Sequence, residues 1–325
     1  MRRREFVAGL GGAVASPVAV QAQSSTMPVI GFLNPASPDV NANRLRAFRE
    51  GLKETGYIDG ENVAIEFRWA EGELDRLPAL AAELARRQVA LIVAFAGASS
   101  AAKTATTVIP IVFAVGEDPV AQGLVASLAR PGGNLTGINF FNQELVGKRL
   151  ELLRELVPGS ARVAVLVNPT DPVSTGTTVR GVSGAARTLG LQVRVLNAST
   201  SREIDAAFAT FAQERPDTLF VGGDTLFNSR RVQLAIVAAR YGVPAIYAQR
   251  EYAEAGGLIS YGTNLADAFR QIGVYAGRIL KGAKPADLPV VQSSKFELVI
   301  NAQTARTLSL NIPPTLLSRA DEVIE

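Results

Sequence analysis

Short apolar runs alternate with amphipathic stretches along the chain from residue 29 onward. The run Val29–Leu33 is rich in β-branched and aromatic residues and predicts a strand. In the stretch 41–55, the apolar residues Leu45, Phe48 and Leu52 recur at spacings of three and four, which predicts a helix with one buried face. This β-then-α order repeats, and it predicts an α/β protein with parallel sheets.

The same pattern continues through both halves of the chain. In the first half it predicts strands at Val63–Trp69, Ala90–Ala96, Ile111–Val115 and Leu135–Phe140, and helices at Leu74–Arg87, Gly97–Thr106 and Gln143–Leu156. In the second half it predicts strands at Arg162–Val167, Gln192–Leu196, Thr218–Val221, Pro244–Tyr247, Gly257–Tyr261 and Phe296–Ile300, and helices at Thr177–Leu189, Ser201–Glu214, Ser229–Tyr241, Leu265–Leu280 and Gln303–Leu308.

The alternation restarts near residue 160, and each half begins with a strand that ends in Asn-Pro, at Asn34-Pro35 and Asn168-Pro169. We therefore expect two similar lobes, each with a Rossmann-like parallel sheet covered by helices on both faces. Ligands of such sheets bind at the carboxyl ends of the strands. Two facing lobes would place those ends around one cleft.

The N-terminus has the pattern of a bacterial export signal. Arg3-Arg4 followed by Phe6 and Val7 is similar to a twin-arginine motif, and an apolar run rich in Gly and Ala comes next. Small residues then predict cleavage after Ala22, so that residues 1–22 would be removed. The twin-arginine and the general secretory routes both remain open, as does an ordinary unstructured start. No later apolar stretch reaches the roughly 20 residues of a spanning helix.

Composition narrows the chemistry. The chain of 325 residues has no His and no Cys, which excludes Ser-His-Asp and Cys-His nucleophile systems and the usual zinc, copper and haem ligands. We expect no cofactor, no metal, no disulfide and no lipid anchor on a Cys. The formal net charge is +3, but without residues 1–22 the chain has 30 basic and 29 acidic residues. No basic stripe remains to suggest nucleic acid or an anionic membrane as a partner.

Four segments carry a resemblance to a known family: Gly116–Val125, Ala129–Gly137, Phe296–Asn301 and Leu310–Pro314. With them the sequence resembles the ABC transporter substrate-binding proteins, whose characterised relatives bind aromatic amino acids. The resemblance implies a type I periplasmic binding-protein fold, with a ligand cleft between two lobes and three crossings. It implies that residues 28–140 plus 257–285 form lobe one and residues 141–256 plus 286–325 form lobe two. It also implies an inner-membrane ABC permease as partner. We expect a monomer in the periplasm.

Two loops are the first candidates for ligand contacts. Gly97, Ser99 and Ser100 lie where a buried strand turns into a helix, and free N–H groups with nearby hydroxyls suit a carboxylate. Plain helix capping by Ser explains the same pattern. Asp224 with Thr225 ends a strand of the second lobe, where the carboxylate could pair with a ligand ammonium or simply cap the next helix.

Other candidates also lie at strand ends. Asp118 precedes Pro119 and could face the cleft or set a turn. The remaining candidates are amides, a hydroxyl and aromatic rings that could line a pocket for a polar or flat solute: Asn34, Ser37, Asn139, Phe140, Asn168, Tyr247, Gln249 and Tyr261.

Three functions remain compatible with the sequence. The first is the solute receptor of an importer, which closes its lobes on a small carboxylate-bearing solute such as an amino acid or an aromatic acid. The second is a sensory partner that presents its ligand to a membrane receptor. The third is an exported α/β enzyme, which the absence of His and Cys disfavours.

Overall fold

The computed structural model describes residues 27–38, 41–140, 144–211 and 215–325. The export signal predicted for residues 1–22 lies outside these ranges. In the described part, strands and helices alternate as the hydrophobic pattern predicts, and they form two sheets of six and seven strands. The prediction of an α/β fold with two lobes is confirmed.

The first lobe is built around the six-stranded sheet. Its elements up to the first crossing are β1 (Val29–Asn34), α1 (Ala42–Glu54), β2 (Ala64–Trp69), α2 (Leu77–Arg86), β3 (Leu91–Phe95), α3 (Gly97–Ala105), β4 (Ile111–Val115) and β5 (Leu135–Asn139). All five strands are parallel to their neighbours.

The second lobe is built around the seven-stranded sheet. Its elements are α4 (Leu145–Leu156), β6 (Arg162–Val167), α5 (Pro172–Leu189), β7 (Gln192–Asn197), α6 (Ser201–Ala209), β8 (Thr218–Val221), α7 (Thr225–Ser229), α8 (Arg231–Arg240), β9 (Ala245–Tyr247), α9 (Arg250–Glu254) and β10 (Ile259–Thr263). The chain then makes α10 (Leu265–Leu280), β11 (Val291–Gln292), β12 (Phe296–Asn301), α11 (Ala302–Thr307), α12 (Pro314–Leu317) and β13 (Glu322–Ile324).

Strand β3 shows why the sheet is covered on both faces. Its five residues are all buried, and consecutive side chains point to opposite faces of a strand. Val93 packs in a core with α1 and α10, whereas Ile92 packs in a separate core with α2 and α3. A continuous apolar run is therefore what this position in a parallel sheet requires.

The described elements change sheet three times. The chain leaves the first sheet after β5, returns after β10, and leaves again after β11. Helix α10 packs closely on α1 of the first lobe. Among the described elements, the chain passes between the sheets at these three connections, an arrangement that permits hinge motion between the lobes.

Two of the predicted lobe boundaries are corrected by the strand pairing. Strand β10, assigned to lobe one within residues 257–285, pairs with β9 and with β12 in the seven-stranded sheet. Strand β11, assigned to lobe two within residues 286–325, pairs with β5 at the edge of the six-stranded sheet. An apolar run predicts a strand but not the sheet to which the strand belongs, because strand pairing depends on hydrogen bonds to strands distant in the sequence. The β10–β12 pair is antiparallel, unlike the parallel pairing expected throughout.

Candidate functional site

A cavity of about 140 Å³ lies between the two lobes. It is lined in the first lobe, including α10, by Asn34, Pro35, Ala36, Asn41, Arg44, Phe95, Ala96, Ala114, Gly116, Glu117, Phe140, Leu265 and Phe269. In the second lobe it is lined by Asp171, Ser174, Gly223, Asp224, Thr225, Asn228, Ala248, Gln249 and Thr263. Most of these residues follow the carboxyl ends of parallel strands, where the fold places ligands.

The turn after β3 brings the backbone of the first lobe to the cavity. Ala96 has a φ of 46° and a ψ of −129°, a conformation that residues with a side chain rarely adopt. Strain of this kind in a ligand loop persists only where the surrounding structure holds it in place. Here the N–H of Ala96 donates to the carbonyl of Ala114 on β4, which anchors the turn to the sheet.

The second lobe presents two carboxylates at helix N-termini. Asp171 caps α5 and accepts a hydrogen bond from the N–H of Ser174 at 3.0 Å. Asp224 caps α7 and accepts from the N–H groups of Leu226 at 2.8 Å and Phe227 at 3.3 Å. These caps use the partial positive charge of each helix end to hold an acidic side chain beside the cavity.

The carboxylates of the site interact electrostatically. Burial, and then the negative charge of Asp171, raise the pKa of Glu117 above its ordinary value. Burial also raises the pKa of Asp224, with a smaller contribution from Asp171, although hydrogen bonds from Asn168 and from the two helix N–H groups oppose the shift. Asp171 therefore interacts unfavourably with both Glu117 of the first lobe and Asp224 of the second, and a cationic group among these carboxylates would relieve the repulsion.

Arg44 of α1 connects the lobes at the edge of the cavity. Its Nη2 donates to Glu251 Oε1 at 2.7 Å and to Gln249 Oε1 at 2.8 Å, and its Nε donates to Glu251 Oε1 at 3.2 Å. Although burial favours the neutral acid, the charge of Arg44 and its hydrogen bonds hold the pKa of Glu251 below its ordinary value. The pair is an ion pair between α1 in the first lobe and α9 in the second.

One wall of the cavity is apolar and aromatic. Phe95 and Phe269 are stacked, with ring centroids 4.7 Å apart and planes at 14°. Phe140, which follows β5 at the first crossing, and Leu265, which follows β10 at the second crossing, extend this wall. Aromatic side chains bury large flat surfaces and favour offset stacking, so the wall suits the apolar or aromatic part of a ligand.

Five of the predicted site residues line the cavity: Asn34, Phe140, Asp224, Thr225 and Gln249. Asn168 lies behind them, where its Nδ2 donates to both oxygens of Asp224 at 3.2 Å. Its role in the free protein is to orient Asp224.

The structure places the residues of the predicted hydroxyl site for a carboxylate away from the cavity. Ser99 is fully buried, and its hydroxyl donates to the carbonyl of Ala94 within the same lobe. Gly97 and Ser100 line a groove between α2 and α3, which is separate from the cavity between the lobes. Phe95 and Ala96, which precede α3, line the cavity, whereas Gly97, Ser99 and Ser100 of α3 do not.

Five further predicted residues lie off the cavity lining. Asp118 is exposed and accepts from Val120 N–H at 2.8 Å, so it sets a turn. The other four residues stabilise the structure of the lobes. The carbonyl of Ser37 accepts a hydrogen bond from Asn41, and that of Asn139 accepts one from Ser293. Tyr247 is fully buried, and the carbonyl of Tyr261 accepts from Arg149.

Several lining residues are not among those predicted from the sequence, notably Arg44, Glu117, Asp171 and Asn228. Glu117 lies next to the predicted Asp118, and the turn after β4 decides which of the two points inward. Asp171 directly precedes Pro172 at the start of α5, a cap signal that could have been recognised. For Arg44, within an amphipathic helix, no sequence signal distinguishes the cavity edge from the solvent face.

We predict that Tyr247→Phe leaves ligand affinity unchanged and stabilises the protein by up to about 1 kcal/mol. The Tyr247 hydroxyl is buried, and it has no hydrogen-bond partner among the described residues. The matched variant is Tyr252→Phe, since its ring stacks on Tyr247 with centroids 4.5 Å apart and its hydroxyl donates to Asn228 Oδ1. Chemical denaturation should show Tyr252→Phe to be destabilising. Equal losses in both variants would contradict the prediction.

Within the described ranges, no group of Asp, Glu, His and Cys side chains is arranged to hold a metal ion. In the same part of the chain, no helix combines the length and the apolar composition needed to cross a membrane.

The two sheets, the three crossings and the cleft define the type I periplasmic binding-protein fold. The chain belongs to the family of ABC transporter substrate binding proteins, whose sequence profile matches residues 29–324. It is 29% identical to a tyrosine-binding protein of Clostridioides difficile over 266 residues. This matched segment covers 82% of this chain and 76% of that protein. Relatives of this kind are solute-binding proteins, not enzymes.

Two solved structures differ in how well they match. An ABC domain from Streptococcus pneumonia in complex with L-Trp is 28% identical and has a TM-score of 0.84, covering 92% of this chain and 100% of that chain. The ligand-free, open structure of a Clostridium difficile substrate binding protein with adhesive properties is also 28% identical, and covers 91% of this chain and 99% of its own. Its TM-score is only 0.68. At equal identity, the fold of this chain is thus more similar to the ligand complex.

Proposed function

We propose that this protein is the periplasmic solute receptor of an ABC importer, and that it closes on an amino acid with an aromatic side chain. The observation that carries the proposal is the cavity between the lobes, with an acidic side and an aromatic side. The tyrosine-binding relative and the relative in complex with L-Trp support the same ligand class.

The acidic side suits a protonated amino group. Glu117 from the first lobe and Asp171 and Asp224 from the second can surround an ammonium, which has three donors and no acceptor. Because these carboxylates come from both lobes, an ammonium between them is held fully only when the cleft is closed. The ligand thereby supplies the differential contacts that favour the closed state.

The aromatic side suits a flat side chain. The cavity volume of about 140 Å³ is similar to the ~150 Å³ space that holds a benzene ring in an engineered protein core. The rings of Phe95, Phe140 and Phe269 border the cavity. A phenol or indole ring at this wall would be buried away from water. It would make aromatic contacts with the first lobe and with the crossing between the lobes.

Closure would create the surface that a permease recognises. The Arg44–Glu251 ion pair bridges the lobes at 2.7 Å, and the higher similarity to the L-Trp complex than to an open relative supports a closed arrangement. Opening the cleft would break this pair and separate Glu117 from Asp224. Ligand occupancy and lobe position are therefore coupled through the same side chains.

The ligand class is tested by calorimetry and thermal unfolding with L-tyrosine, L-tryptophan, L-phenylalanine and L-leucine. We expect the aromatic amino acids to bind, and at 100 times Kd to stabilise the protein by about 2.7 kcal/mol. Small-angle scattering should show compaction when they bind. Absence of stabilisation by every amine-bearing aromatic compound would contradict the ligand class. A matched probe, 3-(4-hydroxyphenyl)propionate, lacks the amino group and should not bind.

Location is tested separately. We expect the full chain, expressed in a Gram-negative bacterium, to be recovered from the periplasm with its N-terminus after Ala22. Replacing Arg3 and Arg4 with Lys should retain the protein in the cytoplasm if export uses the twin-arginine route. Continued export would favour the general secretory route, and cytoplasmic localisation of the unaltered chain would contradict the proposal.

A further inference from the structure

Asn228 reaches the cavity from the same helix end that carries Asp224. It is the fourth residue of α7 and comes four positions after Asp224, so the two side chains are neighbours on one face of the helix. Both line the cavity. Asp224 presents only acceptors when it is ionised, whereas the amide of Asn228 has two N–H donors and one carbonyl acceptor. The chemistry at this helix turn therefore depends on which end of the amide faces the cavity.

The orientation of the Asn228 amide is set by Tyr252. The Tyr252 hydroxyl of α9 donates to Asn228 Oδ1 at 3.1 Å. Burial raises the pKa of Tyr252 well above its ordinary value, so this hydroxyl keeps the proton that it donates. Among the described residues, Asn228 Oδ1 is the only acceptor for that proton. The opposite orientation of the amide would leave the proton without an acceptor, at a site where Tyr252 is only 2% exposed.

The other end of the amide remains available to a ligand. Asn228 Nδ2 donates to no residue in the described part of the chain. The backbone of the same residue is held in place, because its N–H donates to the carbonyl of Asp224 at 3.0 Å and its carbonyl accepts from Arg231 Nη1 at 3.2 Å. The side chain thus presents two N–H donors beside the carboxylate of Asp224.

These two neighbours match the two charged groups of an amino acid. The ammonium has three donors and no acceptor, and the carboxylate has acceptors only. Both groups are bonded to the same carbon atom, so a helix turn that offers an acceptor and a donor side by side can bind both. In the first lobe, α3 begins without a side-chain cap directly after Ala96, and its backbone donors can share the carboxylate.

We infer that Asn228 donates to the carboxylate of the ligand, and that Tyr252 is a positioning residue that fixes the Asn228 amide with its N–H groups toward the cavity. The inference rests on the proposed function, since it deepens the account of how the same cleft binds an amino acid. Tyr252 is not among the lining residues, so its effect on the ligand passes through Asn228.

Asn228→Asp tests the donor with a change that keeps the size of the side chain. The introduced carboxylate still accepts from Tyr252, but it has no N–H group and it repels a ligand carboxylate. The probes are an aromatic amino acid and its amide, L-tyrosine with L-tyrosinamide or L-tryptophan with L-tryptophanamide, whichever amino acid binds the unaltered protein more tightly. Calorimetry should show the affinity for the amino acid falling about 30-fold. The affinity for the amide should change by less than about threefold, because a carboxamide carries both a donor and an acceptor.

Tyr252→Phe tests the positioning role. Without the hydroxyl, the amide of Asn228 can rotate and present Oδ1 to the cavity, which should lower the affinity for the amino acid about fivefold. The amide probe pairs with either orientation and should keep its affinity within about twofold. The matched control is Tyr247→Phe, which should change neither affinity, since the Tyr247 hydroxyl has no partner among the described residues and its ring stacks on Tyr252.

The outcomes separate the inference from the proposed function. If the amino acid binds the unaltered protein and Asn228→Asp weakens both probes equally or neither, the role of Asn228 is overturned and the proposed function stands. Equal losses for both probes in Tyr252→Phe, or no loss, would overturn the positioning role in the same way, because a purely structural effect does not distinguish the probes. If neither amino acid binds the unaltered protein, the proposed ligand class fails and the inference fails with it.

Discussion

Replacing Glu117 with glutamine is expected to lower the affinity for an aromatic amino acid about 10-fold, and to make the ligand-free protein more stable. A hydrogen bond from an ammonium to a carboxylate is stronger than one to an amide by about 1 to 1.5 kcal/mol. In the free protein, however, burial and Asp171 both disfavour the charged form of Glu117. The variant should therefore gain about 0.5–1 kcal/mol in the free energy of unfolding at neutral pH.

The gain in stability of the Glu117→Gln variant should depend on pH. The pKa of Glu117 is raised in the folded state, so the folded protein holds this proton more tightly than the unfolded chain. The advantage of Glu117→Gln should be fully present above the folded pKa. It should shrink as the pH falls through that pKa and disappear below the ordinary value of 4.5. Denaturation curves at several pH values, without ligand, measure this difference.

The adjacent residue supplies the control. Asp118→Asn removes the same charge from the same loop, but Asp118 is exposed and its carboxylate accepts from Val120 and Ala121 N–H groups outside the cavity. It should leave affinity within about twofold. Equal losses of affinity in both variants would indicate that any negative charge in this loop attracts the ligand electrostatically. That result would contradict a direct contact between Glu117 and the ligand.

Gly51→Ala should destabilise the first lobe by about 3 kcal/mol or more. A Cβ at this position would lie 1.8 Å from the carbonyl oxygen of Arg270 in α10. The reverse contact is equally close, because a Cβ on Gly273 would lie 2.1 Å from the carbonyl oxygen of Phe48 in α1. Neither backbone can yield without separating the two helices, so the added methyl group has no room.

Chemical denaturation of the ligand-free protein is the measurement, and Gly184→Ala in α5 is its control. A Cβ at Gly184 would meet no atom within 4 Å. Alanine should therefore be neutral there or stabilise the helix by up to about 1 kcal/mol, since glycine is the poorer helix former. A loss below about 1 kcal/mol for Gly51→Ala would contradict the close packing of α1 against α10.

This close packing explains why the return of the chain to the first lobe could be predicted only in part. The apolar periodicity of 265–280 predicts the helix, and α10 is observed at Leu265–Leu280. The preceding strand β10 was assigned to the wrong sheet, because its apolar run would suit either lobe. The glycines at 51 and 273 are compatible with many helix contacts. Only the packed structure shows that each one allows the backbone of the other helix to approach closely.

The candidate site shows the same division between sequence and structure. Asp224 follows a strand and precedes a helix, so its place at a cleft could be predicted, and it lines the cavity. Ser99 has the same kind of sequence context, yet its hydroxyl turns back to Ala94. The direction of a side chain in the first turn of a helix depends on how that helix is packed on the sheet, which local sequence does not encode.

By itself the sequence determined the α/β class, the bounds of most strands and helices, the absence of His and Cys chemistry, and the family. These follow from local periodicity, composition and contiguous motifs. The tertiary structure decided which strands share a sheet, and which of two neighbouring acids, Glu117 or Asp118, faces the cleft. It also decided that Arg44 meets Glu251. Those features join residues far apart in the chain, so they depend on distances that exist only after the two lobes have folded and met.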